Sequence, residues 1–427
     1  MGETTVKENQ ITEGVIWKQI LLFFFPILFG TFFQQLYNAA DAVIVGRFVG
    51  KEALSAVGGG TGTVINLLVG FFIGLSGGAT VIISQYYGAK KEEMVGYAVH
   101  TAVAFCFVGG LVLMAIAIPL APTILRAMNT PADVLTPALT YIRIYFCGMV
   151  GNLLYNIGSG ILRAVGDSKR PLYFLIASCL TNIVLDILFV VVFGMGVAGA
   201  GLATILSQFF SAVLVLTALM RSDDMYRLYL RKIRFDMRML GRIVRIGFPT
   251  GLQSVMYSLS NILIQTAING QGTNAVAAWT VYGKLDIVFW MCINAFGISI
   301  TTFVGQNFGA NKIDRVKKGI RSCMLMSIVA SAFISVLLYM GCGYIYRLFT
   351  TDEQVLEIGL EITRFLVPTY LTYISIEIFS GALRGSGDVW FPTLICLTGI
   401  CGLRVAWLLL AVLHILIFNK NNQYETI

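Results

Sequence analysis

The chain has 427 residues, of which 57% are hydrophobic and 12% charged, and its formal net charge is +8. With a mean hydropathy of +0.80, this composition excludes a soluble globular domain and is typical of a protein with many membrane spans. The Lys and Arg residues lie in short loops between apolar segments, so the positive charge indicates membrane topology and not nucleic-acid binding.

Apolar segments of about 20 or more residues are long enough to cross a bilayer as helices. The sequence contains eleven of them, at residues 16–45, 54–83, 94–119, 133–157, 170–193, 197–220, 244–268, 275–303, 316–341, 357–381 and 390–415. We therefore predict an all-α integral membrane protein. Lys and Arg concentrate in alternate loops, above all in the connector 221–243. By the positive-inside rule, the tail at 1–14 and the linker at 221–243 are expected to be cytoplasmic.

Two motifs recur at a constant spacing. The segment 160–167 (GILRAVGD) returns 221 residues later at 381–388 (GALRGSGD), and 85–89 (QYYGA) returns at the same spacing as 306–310 (QNFGA). Such matches indicate an internal duplication. With six spans in each unit, the halves at 15–220 and 244–427 are parallel repeats, which can rock about a central cavity. The glycine-rich motifs themselves are predicted to be turns and helix caps.

The duplication also predicts a twelfth span. Segment 197–220 shifted by the repeat spacing falls at about 418–441, whereas the sequence is polar from Asn419 to Ile427. We therefore expect the second half to hold spans seven to eleven and to lack its last helix.

The sequence offers no familiar metal, cofactor or enzyme signature. Eight cysteines lie almost all in apolar segments without a CxxC pattern, and His100 and His414 are too far apart for a metal site. HExxH and DDxxD motifs are absent, as is an ATP-binding motif. We expect no cofactor and no enzymatic activity.

Polar side chains recur at one depth of the first six spans. Asp41 and Asp186 each lie about 12 Å inside the same end of their spans, at about 1.5 Å per residue. Tyr141 and Thr204 fall at a similar depth, and Asn182 shares a helix face with Asp186. Because charge inside hydrocarbon is costly, these residues are functional candidates.

Neighbouring carboxylates in a low dielectric do not both stay ionised. The Asp41–Asp186 pair is therefore predicted to carry a proton, or to bind Na⁺ together with Asn182. The alternative is a buried polar network that only locks the first half together.

These motifs as a set resemble the multidrug and toxic compound extrusion (MATE) transporters, and most closely their bacterial DinF-like branch. The resemblance covers residues 15–412 and is carried by Phe25-Pro26, by the segment 37–46 (YNAADAVIVG) and by the duplicated motifs. It implies twelve helices in two six-helix lobes arranged as a V, which export organic cations in exchange for H⁺ or Na⁺. It also places ion coupling at the matching positions Asp41, Tyr141, Asn182, Asp186 and Thr204.

The second half departs from the first. Tyr257 and Tyr373 stand where another branch of the family carries acidic residues, and the two aspartates of the first half correspond to Ile264 and Trp407. We therefore expect ion coupling through the first half only. Asp286 and Arg404 lie at comparable depth and are predicted to form a structural ion pair.

Residues that are predicted to line a substrate cavity are Gln34, Tyr37, Asn38, Gln253, Met256, Tyr257 and Asn261. Glu377 is placed to pair with Arg384 near one end of its span.

The sequence therefore predicts a monomeric secondary-active multidrug antiporter of the plasma or inner membrane. Its expected partners are organic cations, H⁺ or Na⁺ and the lipid bilayer, with no nucleic acid. One alternative is a lipid-linked oligosaccharide flippase, which would need several cationic residues in the cavity to meet a phosphate. Others are a receptor and an inactive, truncated paralogue.

Overall fold

The computed structural model describes residues 10–128, 130–407 and 409–410. The helices of this part follow one another as α1 Gln10–Glu13, α2 Ile16–Phe48, α3 Lys51–Gly58, α4 Gly60–Gly88, α5 Glu92–Ala127, α6 Ala132–Cys147, α7 Met149–Ala164, α8 Lys169–Asp186, α9 Gly196–Met220, α10 Met237–Asn269, α11 Thr273–Gly309, α12 Ile313–Phe349, α13 Glu353–Leu366, α14 Tyr370–Ser386 and α15 Trp390–Ile395. A π-helical segment, Ile187–Val192, continues α8, and another, Cys396–Gly402, continues α15.

Each predicted span falls on a helix or on consecutive helical segments, so the all-α membrane fold is confirmed. Within the described ranges, nine segments are long and apolar enough to cross a membrane, and a tenth is formed if α6 and α7, bent by 49°, count as one. The remaining predicted span is α10, which is not among the segments that meet this criterion of length and hydropathy. The predicted end of the last span at 415 and the expected lack of a twelfth helix lie outside the described residues.

Helix α10 begins at Met237, seven residues before the predicted boundary of 244. Asp236 caps it, because its carboxylate accepts a hydrogen bond from the backbone N–H of Met239 at 2.8 Å. A capping side chain satisfies a backbone N–H at the helix start, and a pattern of apolar residues does not reveal such a start. The hydropathy pattern marks where the helix turns apolar and not where it begins.

The connector before α10 packs against the first half of the chain. Tyr226 and Leu228 are buried there. The backbone N–H of Tyr229 donates to His100 Nε2 at 3.0 Å, and the Arg170 guanidinium donates to the Tyr226 hydroxyl at 2.9 Å. The connector is therefore an ordered loop with one short 3₁₀ turn, Leu230–Lys232.

The buried apolar residues form two cores, one for each half of the chain, and the halves exchange the starts of their first helices. Met239 and Ile243 of α10 belong to the core of the first half. Phe23 and Phe24 of α2 belong to the core of the second half. The two halves are thus interlocked at α2 and α10.

The two exchanged helices, α10 and α2, pack against the opposite half through different kinds of residue. Gly74 and Gly78 of α4 meet Gly247 and Gly251 of α10, and a Cβ atom built on Gly74 would lie 2.6 Å from the Gly251 Cα. Small residues on both surfaces let helix backbones approach closely. At the equivalent crossing, α2 meets α11 through stacked rings of Phe24 and Phe296, whose centroids are 4.0 Å apart.

The C-terminal ends of α4 and α11 meet and close one end of the space between the halves. The Gln85 side-chain amide donates to the carbonyl of Gly385 at 2.8 Å, and the Gln306 amide donates to the carbonyl of Ala164 at 2.6 Å. Each glutamine belongs to one QxxGA motif, and each acceptor belongs to the GxLRxxGD motif of the opposite half. We call this two-fold arrangement the closed end.

Glycines in the same motifs permit the close approach. A Cβ atom on Gly88 would overlap the Gln306 carbonyl, and one on Gly309 would overlap the Gln85 carbonyl. Gly166 and Gly387 follow α7 and α14 with φ of 98° and 96°, a left-handed conformation that favours glycine. The motifs are therefore turns and caps, as predicted, and they also join the halves.

Substitution of Gly309 by alanine is expected to destabilise the closed end, because the new methyl group must displace backbone of the opposite half. Overpacking of this kind costs roughly 1–3 kcal/mol. The measurement is the melting temperature of the protein in detergent, with Gly283→Ala on the same helix as control, since nothing lies within 4 Å of a Cβ there. Equal melting temperatures for the two variants would contradict the packing described.

Candidate functional site

Four helices bring the predicted coupling residues together. Asp41 comes from α2, Tyr141 from α6, Asn182 and Asp186 from α8, and Thr204 from α9, and each side chain is at most 6% exposed. The Asp41 carboxyl adjoins Asp186, Asn182 and Thr204, and Tyr141 adjoins Thr204 and Asp41. We call these five residues the carboxyl cluster.

Polar contacts and small residues fix the helices around the cluster. The Ser178 hydroxyl of α8 donates to the Ser207 carbonyl of α9 at 2.8 Å, one turn from Thr204. Gly201 lets α9 approach α6, because a Cβ there would lie 3.0 Å from Ile144. Immediately after Asp186 the helix widens into its π-helical segment, a distortion that is frequent at functional sites.

Five polar atoms of the cluster lack hydrogen-bond partners within the described part of the chain. These buried atoms are Oδ1 of Asp41, both carboxyl oxygens of Asp186, and the amide oxygen and nitrogen of Asn182. Buried polar groups of a purely structural network are normally satisfied. Unsatisfied oxygens around adjoining carboxyls fit a proton, or a hard cation such as Na⁺ that prefers oxygen ligands.

Tyr37, a predicted cavity residue, lies beside this cluster. Its hydroxyl is buried without a partner among the described residues, and it adjoins Asp41, Tyr141 and Thr204. Its spacing of four residues from Asp41 on one helix is a signal that could have predicted this position. Gln34 and Asn38 of α2 are exposed and do not line the cavity described next.

A cavity of about 420 Å³ lies between the halves, beside the closed end. It is lined by α4, α7, α10, α11 and α14, and of the predicted lining residues it contains Gln253 and Tyr257. Met256 and Asn261 are not among its lining residues, and their place in a substrate cavity stays a prediction. Trp290 and Tyr373 complete an aromatic wall, with ring centroids 4.7 Å apart.

The charged lining of the cavity comes from Arg163, Glu377 and Arg384. Glu377 and Arg384 form the predicted ion pair, with Oε1 and Nη2 at 2.8 Å. The aspartates of the carboxyl cluster are not part of this lining in the region described. An ion at the cluster would therefore act on the cavity through helix packing and not by direct contact.

Asp286 is held differently from the prediction. Its carboxylate accepts hydrogen bonds from Tyr370 at 2.6 Å, from the Trp290 indole at 2.7 Å and from Tyr282 at 3.3 Å. Arg404 exerts an electrostatic influence on it, while its guanidinium donates to Asn261 at 3.3 Å. The aromatic donors are the main support of the carboxylate, and the Asp286–Arg404 pair stays a prediction.

Asp41→Asn and Asp286→Asn are expected to shift stability in opposite directions. The first replaces one of two adjoining buried carboxyls whose oxygens are unsatisfied and so relieves their repulsion, and the melting temperature at pH 8 should rise by about 2 °C or more. The second leaves a buried donor without its acceptor and should cost roughly 1–3 kcal/mol. A lower melting temperature for both would indicate that the carboxyl cluster only stabilises the fold.

Comparison with known proteins identifies the family. The MatE family model matches residues 26–188 and 249–409, one match in each half. The probable multidrug resistance protein YoeA of Bacillus subtilis is 32% identical over 401 residues, which cover 91% of this chain and 86% of that protein. The probable multidrug resistance protein NorM of Thermotoga maritima is 26% identical over 398 residues, covering 91% and 84%.

Solved structures show the same fold. An outward-facing multidrug resistance MATE family transporter of the MOP superfamily superposes with a TM-score of 0.87 at 23% identity, covering 95% of this chain and 91% of its own. A MOP superfamily transporter from Pyrococcus furiosus, whose binding pocket is described as having reverse polarity, gives the same TM-score, identity and coverage. With a family model that spans both halves and a relative that is 32% identical, the chain belongs to the MATE family of membrane transporters.

Proposed function

We propose that this protein is a secondary-active multidrug antiporter that exports organic cations in exchange for H⁺ or Na⁺. The observation that carries the proposal is the carboxyl cluster, in which Asp41 and Asp186 adjoin in a buried site with unsatisfied oxygens. Relatives such as YoeA and NorM are named as multidrug resistance proteins. The names of the relatives support multidrug transport, and the cluster offers a means of coupling that transport to an ion.

In this proposal, the closed end faces the cytoplasm. Lys90 and Lys91 follow α4. Lys312 lies between α11 and α12, and Arg315 lies in the first turn of α12, so basic residues surround the closed end. The positive-inside rule then places it, with residues 1–14 and 221–243, on the cytoplasmic side of the plasma or inner membrane. The cavity would release its substrate outward, and separation of the closed end would open it inward. Lobes at 15–220 and 244–427 would move as the two units.

Ion binding would bias this movement through the helices that carry the cluster. Charged, Asp41 and Asp186 repel each other; with a bound proton or Na⁺ they attract. The change favours a different packing of α2 against α8 and α9. Because α2 begins in the core of the second half, a shift of α2 would be felt across the lobe boundary. Tyr141, Asn182 and Thr204 would complete the ion site.

The aromatic wall suits a cationic, flat substrate. Tyr257, Trp290 and Tyr373 line the cavity, and aromatic faces attract organic cations. The Tyr257 and Tyr373 hydroxyls lie 3.2 Å apart. In this proposal they form a polar contact in the second lobe, and ion coupling takes place in the first lobe only. We expect a monomer to suffice, since the cavity lies within one chain.

The flippase alternative is less well supported. It requires several cationic side chains to meet a pyrophosphate or phosphate. The described cavity lining contains two arginines, and Glu377 neutralises one of them. The paralogue alternative depended on the twelfth helix, which lies outside the described residues.

The test is ethidium efflux from proteoliposomes driven by an imposed pH gradient or an imposed Na⁺ gradient. We expect one gradient to drive efflux and Asp41→Asn to reduce it to the leak of protein-free liposomes, because the cluster loses one of the two carboxyls that share the ion. Asp223→Asn is the matched control, since the Asp223 side chain is 96% exposed on the connector. Efflux that persists in Asp41→Asn, or that fails under both gradients in the unmodified protein, would refute the proposal.

A further inference from the structure

The floor of the cavity is chemically asymmetric although the chain is duplicated. In the second half, Arg384 pairs with Glu377 seven residues earlier, at 2.8 Å. The repeat spacing of 221 residues maps this pair onto Arg163 and Asn156 of the first half. Both halves therefore have the arginine, but only the second half has an acidic residue seven positions before it.

Arg163 has no ionic partner among the residues that the structure describes. Its side chain makes no hydrogen bond or ion pair with any residue that the structure describes, and its electrostatic neighbour is the Tyr155 phenol. Asn156 does not compensate, because its amide nitrogen is turned to Asn152, where it donates to the carbonyl oxygen at 2.9 Å and to Oδ1 at 3.0 Å. The half-buried guanidinium of Arg163 therefore faces the cavity with its donors free.

The cavity consequently has a positive floor. Two arginines and one glutamate line it, which is a formal charge of +1, and no aspartate is among its described lining residues. An unpaired cation that is partly removed from water is costly unless something pairs with it. An arginine presents a planar fork of donors that matches a carboxylate, sulfonate or phosphate in two parallel hydrogen bonds.

We propose that Arg163 is an anion-binding subsite, so that the preferred cargo of this transporter is an amphiphile that carries an acidic group beside a cationic, aromatic body. The acidic group binds Arg163 at the floor, and the body stacks on the wall formed by Tyr257, Trp290 and Tyr373. This inference rests on the proposed multidrug function and refines its substrate class from organic cations to zwitterions.

The test compares two dyes that differ only in an acidic group: rhodamine B, whose carboxyl is free, and its ethyl ester. Binding of each is measured by fluorescence polarisation on the full chain in phosphatidylcholine nanodiscs. For Arg163→Gln we expect the Kd of the acid to rise about tenfold, which is about 1.4 kcal/mol, with the Kd of the ester nearly unchanged. Arg163→Lys should restore much of the affinity for the acid.

A second variant tests the missing partner directly. Asn156→Glu installs the acidic residue of the other half, so Arg163 should become internally paired and the acid should again bind about tenfold more weakly than to the unmodified protein. Melting temperatures of all variants should stay close to that of the unmodified protein. A lipid phosphate as the source of the acidic group is revealed if added phosphatidylglycerol weakens binding of the acid to the unmodified protein but not to Arg163→Gln.

Different outcomes separate the two proposals. If Arg163→Gln weakens both dyes equally, or weakens neither, the anion subsite is wrong while multidrug binding stands. If neither dye binds the unmodified protein, both the multidrug function and this inference fail. Loss of ion-driven efflux in Asp41→Asn with unchanged dye binding leaves the subsite intact, because binding does not require ion exchange.

Discussion

Two adjoining carboxyl groups in an apolar surrounding are the constraint on which the first half depends. Asp41 and Asp186 are 5% and 0% exposed, and neither has a basic partner in the cluster. Such groups persist at a stability penalty that a structural role does not require. The surrounding architecture keeps them together: the Ser178–Ser207 contact joins α8 to α9, and Gly201 brings α6 close. In the proposed mechanism, an ion that relieves the repulsion would change the packing of four helices at once.

The connection to the rest of the molecule runs through the exchanged helices. Because α2 starts in the core of the second half and carries Asp41 further along, one continuous helix belongs to both halves. The closed end is held by two equivalent glutamine contacts and by a close approach of the backbones at glycines. The hydrogen bonds of Gln85 and Gln306 to their backbone acceptors are uncharged. Neutral contacts of this kind can separate without exposing charge, which suits the opening proposed for this end.

The sequence predicted the fold well because hydropathy and duplication report directly on membrane spans. It predicted the carboxyl cluster from depth along the helices and from the family resemblance, since residues at one depth of neighbouring helices can meet. It failed where rotation about a helix axis decides the outcome. Tyr37 points to the cluster and Gln34 is exposed, although both lie on α2 near Asp41. The positive cavity floor was also missed, because Arg163 and Arg384 look alike in sequence and only their partners differ.

The central claim is that substrate and coupling ion compete through Asp41 and Asp186. The most direct measurement is the affinity of the purified protein for ethidium, as a function of pH without Na⁺ and as a function of Na⁺ concentration at fixed pH. Linkage requires that whichever ion is coupled lowers the affinity of the unmodified protein. In the double variant Asp41→Asn with Asp186→Asn, the account predicts an affinity that responds to neither ion. An unmodified protein whose affinity is indifferent to both ions, or a double variant that keeps the dependence, would contradict it.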